Sequence, residues 1–136
     1  MRVLALIPAL ALTACVTVPA AGPPPTGAGE ATTVTWKTGT TRSERQTDRY
    51  ECELAARGLG FDATEEQIAD ATNLVGLEQI EAFSLQCLSR KGYTIAEGRV
   101  CTADQIVRGQ LLTGVDVLPP LETVRCFVPE QGGFVV

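Results

Sequence analysis

Five cysteines and no histidine set the chemistry open to this chain. Without an imidazole there is no Ser-His or Cys-His catalysis, no His-ligated metal and no ordinary histidine pH switch. Carboxylates recur at helical spacing: Glu65 and Glu66, Asp70, Glu78 and Glu81. A pair of such groups is what glycoside hydrolysis requires. Nothing around them would raise a carboxyl pKa, so they read as a solvated helix face. Ser89 and Lys91 lie two apart on a helix and point in different directions. No P-loop, dinucleotide fingerprint or redox C-x-x-C occurs. The expectation is a protein without catalytic residues, without a cofactor, and not an enzyme; a small carboxylate-dependent hydrolase is the remote alternative.

The cysteines divide into one and four. Cys52, Cys87, Cys101 and Cys126 are spread through the C-terminal hundred or so residues. An even number in a small exported domain reads as a disulfide framework. Zinc is the rival, but no C-x₂-C pair exists and no histidine can complete a site, so no metal is expected. Cys15 stands apart, at the end of an apolar run.

That run has three parts. Met1-Arg2 gives a small positive start, Val3 to Leu12 is apolar, and Leu12-Thr13-Ala14-Cys15 follows. It is too short to span a bilayer, which takes roughly 20 apolar residues, and Pro8 interrupts it. Leu12-Thr13-Ala14-Cys15 resembles the lipobox of bacterial lipoprotein precursors. The resemblance implies cleavage before Cys15, a diacylglycerol thioether on its thiol, and residues 1–14 as signal peptide. A competing cut after Val18-Pro19-Ala20 would be made by ordinary signal peptidase. Lipidation at Cys15 places the protein in the cell envelope, with the bilayer as its first partner. One acyl chain, at ~0.8 kcal/mol per buried CH₂, anchors marginally, and two or more anchor stably. Val16, where an Asp would retain a lipoprotein in the inner membrane, leans toward the outer membrane facing the periplasm.

Residues 15–33 then read as the lipidated cysteine and a tether. Val16 to Thr33 holds Pro19, Pro23, Pro24 and Pro25 with several glycines and little to bury. At ~3.1 Å per residue in polyproline II, it reaches at most ~55 Å. Residues 34–136 are the expected globular domain. The whole chain has 136 residues and a net charge of −5, and loss of Arg2 with the signal peptide makes the remainder more negative. No basic cluster is present, so nucleic acid is not an expected partner.

Within the domain, Thr41-Arg42-Ser43-Glu44 forms a capping box for a helix that stops at Gly58. Its inward stripe runs from Asp48 or Tyr50 through Cys52, Ala55 and Ala56 to Leu59. A second helix ends at Arg90-Lys91-Gly92, with Leu77, Ile80, Phe83, Ser84, Cys87 and Leu88 inward. Cys101 and Cys126 fall in extended segments. Three pairings are possible; the inward cysteines of two packed helices favour Cys52–Cys87, leaving Cys101–Cys126. If residues 62–91 were one straight helix, its ~1.5 Å rise would leave Cys52 and Cys87 ~25 Å out of level. Gly76 is therefore the expected break, with Thr64 to Asn73 a separate short helix.

Thr102 caps a short helix running to Leu112 and ended by Gly114, or Gln105 to Leu112 is a strand, and Val128 to Phe134 reads as a hairpin. The expected fold is α+β: a small disulfide-stapled domain, antiparallel helices followed by a two- or three-stranded antiparallel C-terminal sheet. Trp36 with Gly39, then Cys87 followed by Lys91-Gly92-Tyr93, also resemble small uncharacterised envelope lipoproteins of proteobacteria. There a Trp and Gly precede the first helix, and Cys-x₃-Lys-Gly-aromatic ends the second. That resemblance implies fold and location, and no activity. Trp36, Tyr93 and Phe134 are candidates for a binding patch, with core packing the alternative for Trp36 and Tyr93. The functional expectation is a membrane-anchored, non-enzymatic binding or assembly factor acting on an unidentified envelope protein. A structural or protective, inhibitor-like lipoprotein is the alternative.

Overall fold

The computed structural model describes residues 25–136. Residues 1–24, which include the expected signal peptide, Cys15 and the first part of the expected tether, lie outside them. The elements in chain order are β1 (Ala31–Trp36), α1 (Arg42–Ala56), α2 (Glu65–Val75), α3 (Leu77–Arg90), β2 (Thr94–Arg99), α4 (Ala103–Arg108), β3 (Leu111–Leu112), β4 (Cys126–Val128) and β5 (Gly133–Val135). This is a small α+β domain stapled by two disulfides.

The helices begin where capping chemistry places them. Thr41, Thr64 and Thr102 each accept from the backbone of the third helical residue, whose side chain returns a bond to the cap. Gly76 breaks the second helical stretch: it ends α2 and starts α3 at φ +87°, a conformation costly for any residue with a Cβ. The break lets α3 lie antiparallel to α1. Cys52–Cys87 joins them with Cα atoms 5.5 Å apart, and one turn further on Lys91 reaches back to Asp48 and Glu51.

β1 and β2 form a two-stranded antiparallel sheet, from Ala31 opposite Arg99 to Trp36 opposite Thr94. A second, three-stranded sheet has the order β3-β5-β4. The two meet at a bridge between Val100 and Phe127, where Cys101 N donates to Phe127 O. Cys101–Cys126 closes that junction, with Cα atoms 5.0 Å apart. Around it Val128 and Val135 are completely buried, with Ile106 and Leu111 packed against them.

Three expectations are corrected. The folded domain starts before residue 34. Pro25 is buried, Gly29 N donates to Val100 O, and Val100 N donates to Glu30 O, so residues 25–33 are a turn and a strand and not tether. Paired with β2, Thr32 and Val34 have a ladder partner that no reading of the Pro/Gly-rich composition supplies. The segment after Thr102 is a helix and then a strand: α4 ends at Gly109, and Leu111–Leu112 pair with β5. The helical stripes are also narrower than expected. In α1, Cys52 and Leu54 are the buried residues; in α3, Ile80, Ser84 and Leu88 are buried while Leu77 and Phe83 face solvent.

Candidate functional site

α1 carries Arg42, Arg45 and Arg49 at helical spacing, and Glu53 and Arg57 continue the same face. That face lines a cleft of about 850 Å³. Beside it α3 presents Leu77, Ile80, Glu81, Ser84 and Leu88, and the opposite wall is β1 from Thr32 to Trp36. Phe127, Gly133 and Phe134 of the second sheet complete it. The cleft is therefore a meeting place of four arginines, two glutamates and an apolar floor, in a chain of net charge −5.

The arginines do different work. Arg45 Nη1 donates to Thr40 O at 2.7 Å and Asp116 O at 2.8 Å, and its Nη2 donates to Val115 O at 2.8 Å. It ties the 115–116 loop to the start of α1. Arg57 Nε donates to Thr72 Oγ1 at 2.9 Å and Nη1 to Glu53 O at 2.7 Å, tying α1 to α2. Among the described residues no acceptor binds the guanidinium of Arg42 or Arg49, and both residues are exposed. Beside them on α3, Ser84 is buried and its Oγ has no hydrogen-bond partner. A buried hydroxyl without a partner costs about 1–3 kcal/mol, so an unfilled acceptor or donor site at this position is unusual.

The three proposed binding aromatics all border this cleft, but as packed rings and not as an exposed patch. Trp36 and Tyr93 are 6% exposed and Phe134 is 4%. Trp36 packs edge-to-face with Phe127 and Phe134, with ring centroids 5.9 and 5.2 Å apart, and its Nε1–H donates to Pro119 O at 2.9 Å. These contacts satisfy both its apolar surface and its one polar atom. The expected aromatic patch is therefore buried, and the arginine face is the accessible feature of the cleft.

Tyr93 belongs to a brace at the far end of the helix pair. Its hydroxyl donates to Asp48 Oδ2 at 2.9 Å, while Lys91 Nζ donates to Asp48 Oδ1 at 2.9 Å and Glu51 Oε2 at 2.8 Å. Lys37 Nζ donates to Lys91 O at 2.9 Å and stands 5.4 Å from the Tyr93 ring centroid. The hydrogen bond from Lys91 holds the Asp48 carboxyl below its ordinary range. Burial, then the bond to Asp48, pushes the Tyr93 hydroxyl up to about 12. The bonds to Glu51 and Asp48 raise Lys91. Each group is thereby fixed in one protonation state at neutral pH, which suits a structural brace and not proton transfer.

Glu65, Glu66, Asp70 and Glu78 are exposed on α2 and the start of α3, outside the cleft, and only Glu81 lines it. Among the described residues no group of three or more Cys, Asp or Glu could hold a metal ion, and no helix is long and apolar enough to cross a membrane. The arginine face is legible in the sequence, because Arg42, Arg45 and Arg49 fall at one helical spacing beyond a recognisable cap, although the net charge of the chain is acidic. Compared with protein-family models, curated proteins and solved structures, the chain has no significant match.

Proposed function

We propose that this is a lipid-anchored protein of the bacterial cell envelope that works by binding another envelope protein. The observation that carries the anchor is Leu12-Thr13-Ala14-Cys15 at the end of an apolar run with a basic start. Cys15 is the lipidated residue, and Val16 favours the outer membrane. The cleft between the helix pair and β1 is the binding site, since it combines unpaired cationic groups with an apolar floor on one concave surface. Residues 16–24 hold the domain off the bilayer, and anchoring raises its effective concentration near a partner to about millimolar. The acidic remainder of the surface favours a protein partner over anionic lipid headgroups or polymers.

Phase separation in a detergent that clouds on warming tests the anchor. The protein partitions into the detergent phase, and Cys15→Ala moves it to the aqueous phase. An intact mass with an unmodified N-terminus at Ala21 contradicts the lipid reading. Deleting residues 16–24 while keeping Cys15 tests the tether: crosslinking to partners falls although folding and lipidation persist. If every crosslink survives, a structural lipoprotein is the better description.

A further inference from the structure

We propose that the cleft receives an extended acidic segment of a protein partner as an added strand on the free edge of β1, with its carboxylates against Arg42 and Arg49. This rests on the reading of the cleft as the binding site and names what that site takes.

The first observation is the edge. Among the described residues β1 has one neighbour, β2, in a two-stranded sheet, so alternate N–H and C=O groups along it point away from any described strand. Among the described residues no backbone or side-chain hydrogen bond from outside the sheet reaches the main chain of Ala31 to Thr35. Five consecutive residues, Thr32 to Trp36, line the cleft. Side chains of consecutive strand residues point to opposite faces, so an unbroken run of lining residues places the strand's edge toward the cavity. An unpaired edge bordering a groove is the geometry of strand addition, in which main-chain bonds give affinity and alternate side chains give specificity.

The second observation is charge. Arg42 and Arg49 stand without carboxylate partners on the facing helix, and a guanidinium suits bidentate capture of a carboxylate. The third is the orphaned Ser84 Oγ, more than nine-tenths buried and lining the same cleft, which supplies one further polar contact. Three of the five lining residues of β1 are threonines, a polar wall that suits peptide backbone better than an acyl chain.

The test uses hydrogen exchange on the full-length protein. The probe is an end-capped decapeptide alternating Glu and Val. Three comparisons accompany it: a Lys/Val decapeptide, the Glu/Val peptide N-methylated at every residue, and palmitate. The Glu/Val peptide protects the amides of residues 31–36, and Arg42→Glu with Arg49→Glu weakens its binding about tenfold or more. N-methylation at every residue, which removes the backbone donors from both edges of the peptide and leaves its charge, abolishes the protection. Ser84→Ala leaves the fold intact and weakens binding several-fold. Equal binding of the Lys/Val or N-methylated peptide overturns the proposal. So does protection by palmitate alone, which assigns the cleft to a lipid, or concentration-dependent protection without any probe, which assigns the edge to a second copy. Because the anchor is tested separately by phase partition, failure of the peptide leaves the lipoprotein reading standing, and the reverse holds.

Discussion

The C-terminal sheet and the helical layer are held together in different ways. In the sheet, Cys101, Cys126 and Val128 are fully buried and Val135 nearly so, around one covalent bond. In the helical layer α2 has no buried residue, and Leu74, Leu77 and Phe83 are 87, 73 and 53% exposed. Its apolar core is confined to α1 and α3, around Cys52, Leu54, Ile80 and Leu88, and the Cys52–Cys87 bridge, the Lys91–Asp48–Tyr93 brace and Arg57 tie its helices together. The difference has a physical lesson. A face of a helix pair left unfilled against its sheet is a cleft, and cross-links can hold such a face open where burial would close it.

The largest effect separating the two halves comes from the helical bridge. Replacing Cys52 and Cys87 together by alanine releases a loop spanning 35 residues and lowers stability by about 4 kcal/mol on the loop-entropy account. In urea, the far-ultraviolet helix signal is lost before the amides of β4 and β5 exchange. Coincident loss would show one cooperative unit and erase the contrast.

On the sheet side, Gly98→Ala places a methyl group 2.5 Å from Phe127 Cε2, and that ring is wedged against Trp36. Overpacking of this kind costs about 1–3 kcal/mol. Equilibrium unfolding should show the loss at β2 and β4, with the helices unaffected until the main transition.

The brace is predicted by pH. Tyr93→Phe removes a bond to a carboxylate, worth about 1.5–3 kcal/mol. Tyr93 has a folded pKa of about 12, raised from an ordinary value of 10.0. Its stabilisation is therefore complete below pH 10.0 and is lost as pH rises through about 12. Asp48 is depressed below 3.8, so its stabilisation is present above that value and is lost as pH falls through the folded pKa. The phenylalanine variant should show a flatter alkaline limb in a Tm-versus-pH profile; an unchanged limb would remove Tyr93 from the brace. The smallest effect belongs to the exposed helix residues: Leu74→Ser and Phe83→Ser should each stay within about 0.5 kcal/mol of the parent in urea midpoints. A loss of several times that would mean the helical layer is packed after all.

Much of the helical half was legible because its signals are local. Thr41 with Glu44 and the break at Gly76 lie within a few residues of what they control, whereas the capping signal read at Asp62 to Glu65 sits two residues before the cap that forms, Thr64 with Gln67. The two bridges followed from which helix faces Cys52 and Cys87 occupy. β1 was hidden because its partner β2 lies more than fifty residues away, and because Thr32 and Thr33 follow a proline-rich stretch that composition assigns to a linker. The cleft was hidden for a related reason. Arg42 and Arg49 are legible as a helix face, but their lack of partners depends on where β1 and the C-terminal sheet stand.

The central claim is that the cleft where the two halves meet is the binding surface of an anchored protein. Photo-crosslinking tests it most directly: a photoreactive amino acid at Thr33, in the cleft, is compared with one at Asp104, on α4 outside it, in otherwise intact protein in bacterial cells. The account predicts a discrete protein adduct from position 33 and none from position 104, with the adduct falling about tenfold or more when Arg42→Glu and Arg49→Glu are added. No adduct at position 33, or one that persists undiminished after both charge reversals, would contradict it.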